Sequence, residues 1–554
     1  MGNSAKTRTR SSRSAPARPT RSATAMRMLD PAPTREIAFA AFAATVSFYI
    51  VFGYTKPLPL LFAPIVAGAV AGLIVRIPVW AAVCGAAGGL IGVLLALATT
   101  SVDAFVRLAN TMPQYANPDV LVSYVYQDFL YGLATSNPLN PGGVSGAGTA
   151  LVLLVGVIAA AAVAFGVRFG LASLPGMPRT EQYVGHGVVA LLGVLLVYTL
   201  SVGTPAFHTY LAEEPVSGTY AYDAVVYQNT HLLMTRGSGY YQALLDSAAG
   251  DSRVAENNWV RDGKFYGWVN TPTLAREPAA FYLWRVAAPN GSTGVFYLAL
   301  VASLAAMAAV YWGLLGQAPR AAILGPVILL PMLELLASWQ NIFFPDYWAG
   351  LALLASVGFL LRKNLLVAGA FALLAALFRE TLVFWPMILL AGAAWRRKEL
   401  AGGWRTVGVL AGYVALFAAA YALHYVNAAR LIAPEAMVSA SFIARLQQSW
   451  AQTFAGKFLA PASYMMWPYG AFRIPGALYM FTGTAGFALA LKDSPLARWT
   501  ATAHAAFWIV FYLTIGAASS YWGQQTMPFY LLGTVLLVAW AGGAMEPVAI
   551  KPRA

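Results

Sequence analysis

Cysteine is nearly missing from this chain: one residue, Cys84, in 554. No disulfide can form within it, which excludes the small stapled scaffolds of secreted proteins. Set in an apolar run, Cys84 reads as an inert packing residue. Charge is scarce as well. Lys, Arg, Asp and Glu make up 10% of the residues, against about 25% in a soluble globular protein, too few to cover a water-exposed surface. The five histidines (His186, His208, His231, His424, His504) have no metal-ligand spacing, which argues against a zinc site. His231 reads as a surface histidine. No Gly-x-x-x-x-Gly-Lys-Ser/Thr sequence occurs, so ATP-driven transport has no support.

What fills the chain is hydrocarbon, with 59% hydrophobic residues and a mean hydropathy of +0.63. These values predict an all-α polytopic membrane protein. Residues 1–35 are different. They hold eight basic residues (Lys6, Arg8, Arg10, Arg13, Arg18, Arg21, Arg27, Arg35) among Ser, Thr, Ala and Pro. Such a segment cannot bury a core and is expected to be a disordered tail held near anionic headgroups. No short apolar region with a cleavage site follows, so it is not read as a signal peptide. No folded basic module accompanies it, so nucleic acid is not an expected partner.

Apolar runs predict fourteen spans: 36–53, 59–75, 78–99, 148–167, 187–203, 293–315, 321–338, 347–361, 364–378, 381–395, 406–425, 474–491, 499–518 and 527–543. With the tail cytoplasmic, alternate connections fall inside and hold Arg76, Arg168, Arg179, Arg320, Arg362, Lys363, Arg396, Arg397, Lys398, Arg405, Lys492 and Arg498. With both termini that makes 22 basic residues inside and 13 outside, although the outer loops are longer. Acids divide the other way, 6 inside to 14 outside, with Glu334 in a span. Both termini, including the short tail 546–554, are therefore expected in the cytoplasm.

Three outer segments stand out: 100–147, 204–292 and 426–473. The middle one carries eight acids and six bases, and loops of that length are usually functional. Within it, apolar residues at 225, 226, 232 and 233 predict a helix along the membrane surface, with Asp223 in its first turn. There the helix-terminal N–H groups keep a carboxylate ionised. Asp223 then reads either as a general base at the bundle mouth or as a simple helix cap.

A second feature lies between Arg362-Lys363 and Arg396-Arg397-Lys398. The 32 residues between those clusters contain two charges, Arg379 and Glu380, adjacent and midway. Two helices of about 15 residues would each reach some 23 Å, less than a full crossing. This predicts a hairpin with Arg379-Glu380 at a tip recessed below the outer surface. The pair reads as functional or as a salt bridge tying the hairpin to a neighbour.

Taken together, the Asp223-Ala224-x-x-Tyr227 segment leading to Gly237-Ser238-Gly239-Tyr240-Tyr241 resembles the first outer loop of the GT-C superfamily. These integral-membrane glycosyltransferases use polyprenyl-phosphate sugars. Ala376-Leu377-Phe378-Arg379-Glu380-Thr381 is similar to the Arg-Glu element of its mannosyltransferase-like branches. Arg276-Glu277-Pro278 resembles the Arg-x-Pro segment that leads into the following span. The resemblance covers about residues 187–545. It implies a catalytic membrane core preceded by an added four-span module, 36–175, rich in glycine (Gly68, Gly72, Gly85, Gly88, Gly89, Gly92) for close helix packing.

The implied reaction is sugar transfer to an acceptor hydroxyl on the extracytoplasmic face. The implied roles are Asp223 as general base, Arg379 on the donor phosphate and Glu380 orienting Arg379 or the acceptor. Arg276 and Arg236 are further phosphate contacts. Glu213 and Glu214, ten residues before Asp223, are alternative acids. The donor would be a polyprenyl-phosphate sugar, and the acceptor a glycan, lipid or protein. Membrane lipids are the remaining partners, and a divalent metal cofactor is left open. The competing class is a multi-span transporter or lipid-linked-sugar flippase. It would suit intramembrane Arg379, although no internal repeat of broken spans is visible.

Overall fold

The computed structural model describes residues 34–54, 59–99, 146–173, 183–197, 222–267, 269, 275–334, 342–436, 476–514 and 523–544. The basic N-terminal segment, Glu213, Glu214, and most of 100–147 and 437–475 lie outside them. The described chain is helical apart from one two-stranded hairpin. Four stretches are long and apolar enough to cross a bilayer unaided: Thr34–Val51, Pro78–Leu95, Ser292–Leu315 and Trp404–Ala429. The other apolar helices are shorter, so the coarse expectation of an all-α membrane protein holds, while a count of fourteen crossings does not follow from length alone.

The first four helices are α1 (Thr34–Tyr54), α2 (Pro59–Ile74), α3 (Pro78–Thr99) and α4 (Gly146–Ser173). They pack on one another, with glycine at the crossings. A Cβ on Gly68 of α2 or on Gly85 of α3 would sit 2.6 Å from the Ala160 carbonyl oxygen of α4. In lipid, helix association draws on this kind of close backbone approach. Cys84 is buried in the same module, its thiol facing the Ile37 carbonyl at 3.4 Å. The module meets the rest of the bundle through α1, which packs on helices at 324–334 and 523–541.

After α5 (183–197) comes a cap of short elements. It consists of α6 (Tyr222–Thr235), α7 (Tyr240–Ala249), the single turn α8 (Ser252–Glu256), and strands β1 (Val260–Arg261) and β2 (Lys264–Phe265). Asp262 (φ 51°) and Gly263 (φ 68°) form the strand turn, the left-handed pair that a tight hairpin needs. Then follow α9 (Ala279–Ala287), α10 (Ser292–Leu315), α11 (Leu324–Glu334), α12 (Pro345–Leu361), α13 (Leu365–Phe378), α14 (Phe384–Trp395) and α15 (Trp404–Ala429). The last three are α16 (Gly476–Ala490), α17 (Pro495–Thr514) and α18 (Gly523–Ala541). Phe265 of the hairpin bonds to the backbone at Leu431 and Ala433, so the cap rests on the C-terminal end of α15.

The basic connections gather at the other end. The Arg76 amide donates to Glu36 at 2.8 Å, Arg168 donates to the Arg76 carbonyl at 2.9 Å, and Arg320 approaches Glu36 at 3.8 Å. Gln317, one turn before Arg320, donates to the Leu361 carbonyl and to Ser494. Arg362, Lys363, Arg396 and Ser494 line one cavity. Arg76, Arg168, Arg320, Arg362, Lys363 and Arg396 thus share one end of the bundle.

Candidate functional site

Helices α13 and α14 both start or finish at that basic end, since Leu365 and Arg396 line the same cavity. They therefore form a hairpin. With 14 and 12 residues they rise about 21 and 18 Å at 1.5 Å per residue, short of a hydrocarbon core of about 30 Å. At the tip α13 stops because Arg379 turns extended (φ −148°, ψ 109°), and a 3-10 turn over Glu380–Val383 leads into α14. The hairpin is fastened to α12. Ser356 donates to the Ala368 carbonyl and accepts from the Trp385 indole, each at 2.7 Å.

Arg379 is 1% exposed. Its Nε donates to Asp346 at 2.9 Å and its Nη1 to Glu380 at 2.6 Å. Asp346, in the first turn of α12 and fully buried, also accepts from Gln525 of α18 at 3.1 Å. Gln525 in turn accepts from Thr381 at 2.8 Å. The tip, α12 and α18 thus meet in one network around the Arg379–Asp346 pair. Burial of such a cation is tolerable because two carboxylates meet it and hydrogen bonds hold the geometry. The second carboxylate that the hairpin tip demanded is Asp346, supplied from 33 residues upstream.

The cap sits on an aromatic shelf. Tyr227 of α6 packs edge-on against Phe281 and Phe344, at 5.6 and 6.4 Å between centroids. Trp284 then connects Phe281 with Phe343 and Trp348, and Trp348 reaches Phe378 beside Arg379. Asp223 lies one helical turn before Tyr227, on the helix face that carries this contact; Phe344 is two residues before Asp346. Across the shelf runs the link Ala275-Arg276-Glu277, pinned at two carbonyls. His424 of α15 bonds to the Ala275 carbonyl at 2.9 Å through Nε2, and the Tyr240 hydroxyl donates to the Arg276 carbonyl. Because Nε2 must carry the proton, His424 Nδ1 accepts from Tyr241 at 3.1 Å.

The link presents a buried carboxyl. Glu277 is 3% exposed, and its Oε1 has no hydrogen-bond partner among the described residues. Burial first, and the neighbouring Glu380 carboxylate second, push it up to about 9 against the opposing pull of Arg379. At neutral pH Glu277 is therefore a protonated acid beside an ion pair.

The sequence-derived residues are distributed as follows. Arg379 and Glu380 are in contact, and both act on the Glu277 carboxyl of the pinned link, which Arg276 precedes. Asp223 stands at the head of α6, inside the cap. Arg236 does not join them. It is exposed past the far end of α6, 13 residues from Asp223 and so about 20 Å away along the helix; one ligand atom cannot lie near both. His231, expected at the surface, is fully buried against Trp284, because α9 roofs that face of α6. Burial lowers it to about 4, so it is neutral at pH 7. Helix α6 is correspondingly a core element of the cap, with Ala224 through Gln228 all buried.

Sequence reasoning passed over Asp346, Gln525 and His424 as site residues. Asp346 offered one signal, an acid after Pro345 opening an otherwise uncharged span. Gln525 and His424 offered none, being single polar residues in apolar helices. No group of three or more potential metal ligands occurs among the described residues. No protein-family model, curated protein or solved structure matches this chain.

Proposed function

We propose that the chain is a multi-pass membrane glycosyltransferase of GT-C type, moving a sugar from a polyprenyl-phosphate donor to an acceptor hydroxyl on the extracytoplasmic face. The observation that carries the reading is the recessed hairpin tip. There Arg379 holds Asp346 and Glu380 together beneath a cap whose own charged link, Arg276-Glu277, is fixed above it. A lipid phosphate arriving from the membrane meets such a site at its own depth.

In this mechanism Asp223 accepts the proton of the acceptor hydroxyl as its oxygen attacks the anomeric carbon. The bond from that carbon to the phosphate oxygen breaks, and its electron pair leaves with the polyprenyl phosphate. Attack opposite the leaving group inverts the anomeric centre. Arg379 is already met by two carboxylates, so its part is to position Glu380, the more exposed partner at 17%. Arg276 takes the donor phosphate, where guanidinium geometry suits two oxygens at once. The protonated Glu277 can donate a hydrogen bond to that phosphate.

The test is incubation of purified protein with polyprenyl-phosphate sugar in detergent. Release of polyprenyl phosphate with a glycosylated acceptor is the expected result. A second reading, a proton-coupled carrier, draws on one observation: a buried carboxyl held near 9 beside an ion pair is what proton-driven transport uses. Proton-dependent uptake into vesicles without donor consumption would favour it.

A further inference from the structure

The cavity at the basic end, about 600 Å³, lies at the opposite end of the α13–α14 hairpin from Arg379. Arg362, Lys363 and Arg396 line it together with Glu399, Thr406 and Ser494. Glu399 is spent on Arg396, which it meets at 2.8 Å, and Asp493, next to Ser494, is the nearest further acid in sequence. The lining therefore carries an excess of cation. Arg362 lies over the Trp312 ring at 4.7 Å, and its Nε has no hydrogen-bond partner among the described residues. Trp395, next to the lining Arg396, is 84% exposed, Trp404, two residues before the lining Thr406, is 67% exposed, and the lining Leu366 is exposed as well. Exposed tryptophans beside arginine and lysine mark the headgroup level of a bilayer.

Lys363 is held there at a conformational cost. Helix α12 ends in a Schellman turn: the Asn364 amide donates to the Phe359 carbonyl and the Lys363 amide to Leu360. The residue at Lys363 must then be left-handed, and its φ is 61°. Glycine is the usual occupant, and lysine is strained there. Here the lysine lines the cavity.

We propose that this cavity is a binding site for a phosphate ester, the headgroup of an anionic membrane lipid, gripped by Arg362, Lys363 and Arg396. The site is independent of the transfer reaction. The full chain, purified and stripped of lipid in neutral detergent, is titrated with radiolabelled phosphatidylglycerol, with phosphatidylcholine and glycerol 3-phosphate as competitors. Phosphatidylglycerol should bind saturably and resist phosphatidylcholine. Lys363→Gly should weaken it about fivefold, the effect of one cation near a lipid surface, while melting no lower than wild type because the turn is relieved. Arg362→Gln combined with it should weaken binding further. Unchanged affinity in Lys363→Gly, or equal competition by phosphatidylcholine, overturns the site. Equal competition by glycerol 3-phosphate assigns the cavity to a soluble phosphate and overturns the lipid.

Discussion

Replacing Asp346 tests whether the Arg379 cluster is the structural keystone of the hairpin tip. Its Oδ1 accepts from Arg379 and from Gln525, both buried. Asp346→Ala removes the carboxylate and leaves a guanidinium that is 1% exposed with Glu380 as its remaining carboxylate among the ion pairs. Breaking a buried pair by deleting one partner costs about 3–5 kcal/mol. Retention of Glu380, and the partners that polar groups find in a denatured state within micelles, put the expectation at the lower end, about 3 kcal/mol. Asp346→Asn keeps an oxygen for both donors and places an amide where Oδ2 lies, an atom with no hydrogen-bond partner among the described residues. It should lose about 1–3 kcal/mol, less than alanine. Reversible unfolding in mixed micelles, followed by tryptophan fluorescence, gives both values. Asp346→Ala with Arg379→Met should lose less than the two single changes together, by at least about 0.5 kcal/mol. An Asp346→Ala protein as stable as wild type, or strict additivity in the pair, would refute the reasoning.

Glu277 should make stability fall as pH rises. Its folded value near 9 lies above the ordinary 4.5, so between those limits the folded state holds the extra proton, and the slope approaches about 1.4 kcal/mol per pH unit. Glu277→Gln should flatten the unfolding profile between pH 5 and about 9; an unchanged profile means that Glu277 is not the titrating group. Gly85→Ala should destabilise the first module by about 1–3 kcal/mol, since a backbone carbonyl cannot yield to the new methyl. Gly166→Ala on α4 meets nothing within 4 Å and should be neutral or stabilising by up to about 1 kcal/mol, so thermal melts of the two variants must move differently. Asp223→Asn should lower turnover about 10²–10⁴-fold with donor binding retained. Turnover within a few-fold of wild type, measured as polyprenyl phosphate released, would take the base role away from Asp223.

The bundle was legible in the sequence to the extent that composition dictates it. Each expected span overlaps a described helix, because an apolar run can satisfy its backbone only within itself. Basic residues from separate connections gather at one end, the Arg76 amide and Arg320 at Glu36 and Arg168 on the Arg76 carbonyl. The hairpin was legible for a different reason. Its evenly divided length and paired charges left no other economical path between Lys363 and Arg396. Surface or core placement within the cap was not legible. His231 sits on a helix whose polar residues suggest exposure, and only the roof formed by α9 buries it.

The charge network at the tip marks where one-dimensional reading runs out, and the reason is physical. An arginine in apolar surroundings requires a counter-charge, and that requirement could be stated from Arg379 alone. Which residue meets it depends on helix rotation, since α12 and α18 are apolar over most of their circumference and present no periodicity to orient them. Asp346 faces Arg379 with the roll of α12 fixed against the hairpin by the Ser356 bonds to Ala368 and Trp385, and Gln525 joins the cluster through Asp346 and Thr381. The same argument explains His424, whose two ring nitrogens are both engaged with cap residues. Each of these polar groups is expensive to bury and is buried with its partner at hand. A polar residue alone in an apolar span therefore marks the helix face that must find another polar residue, and its identity follows only once neighbouring helices are placed.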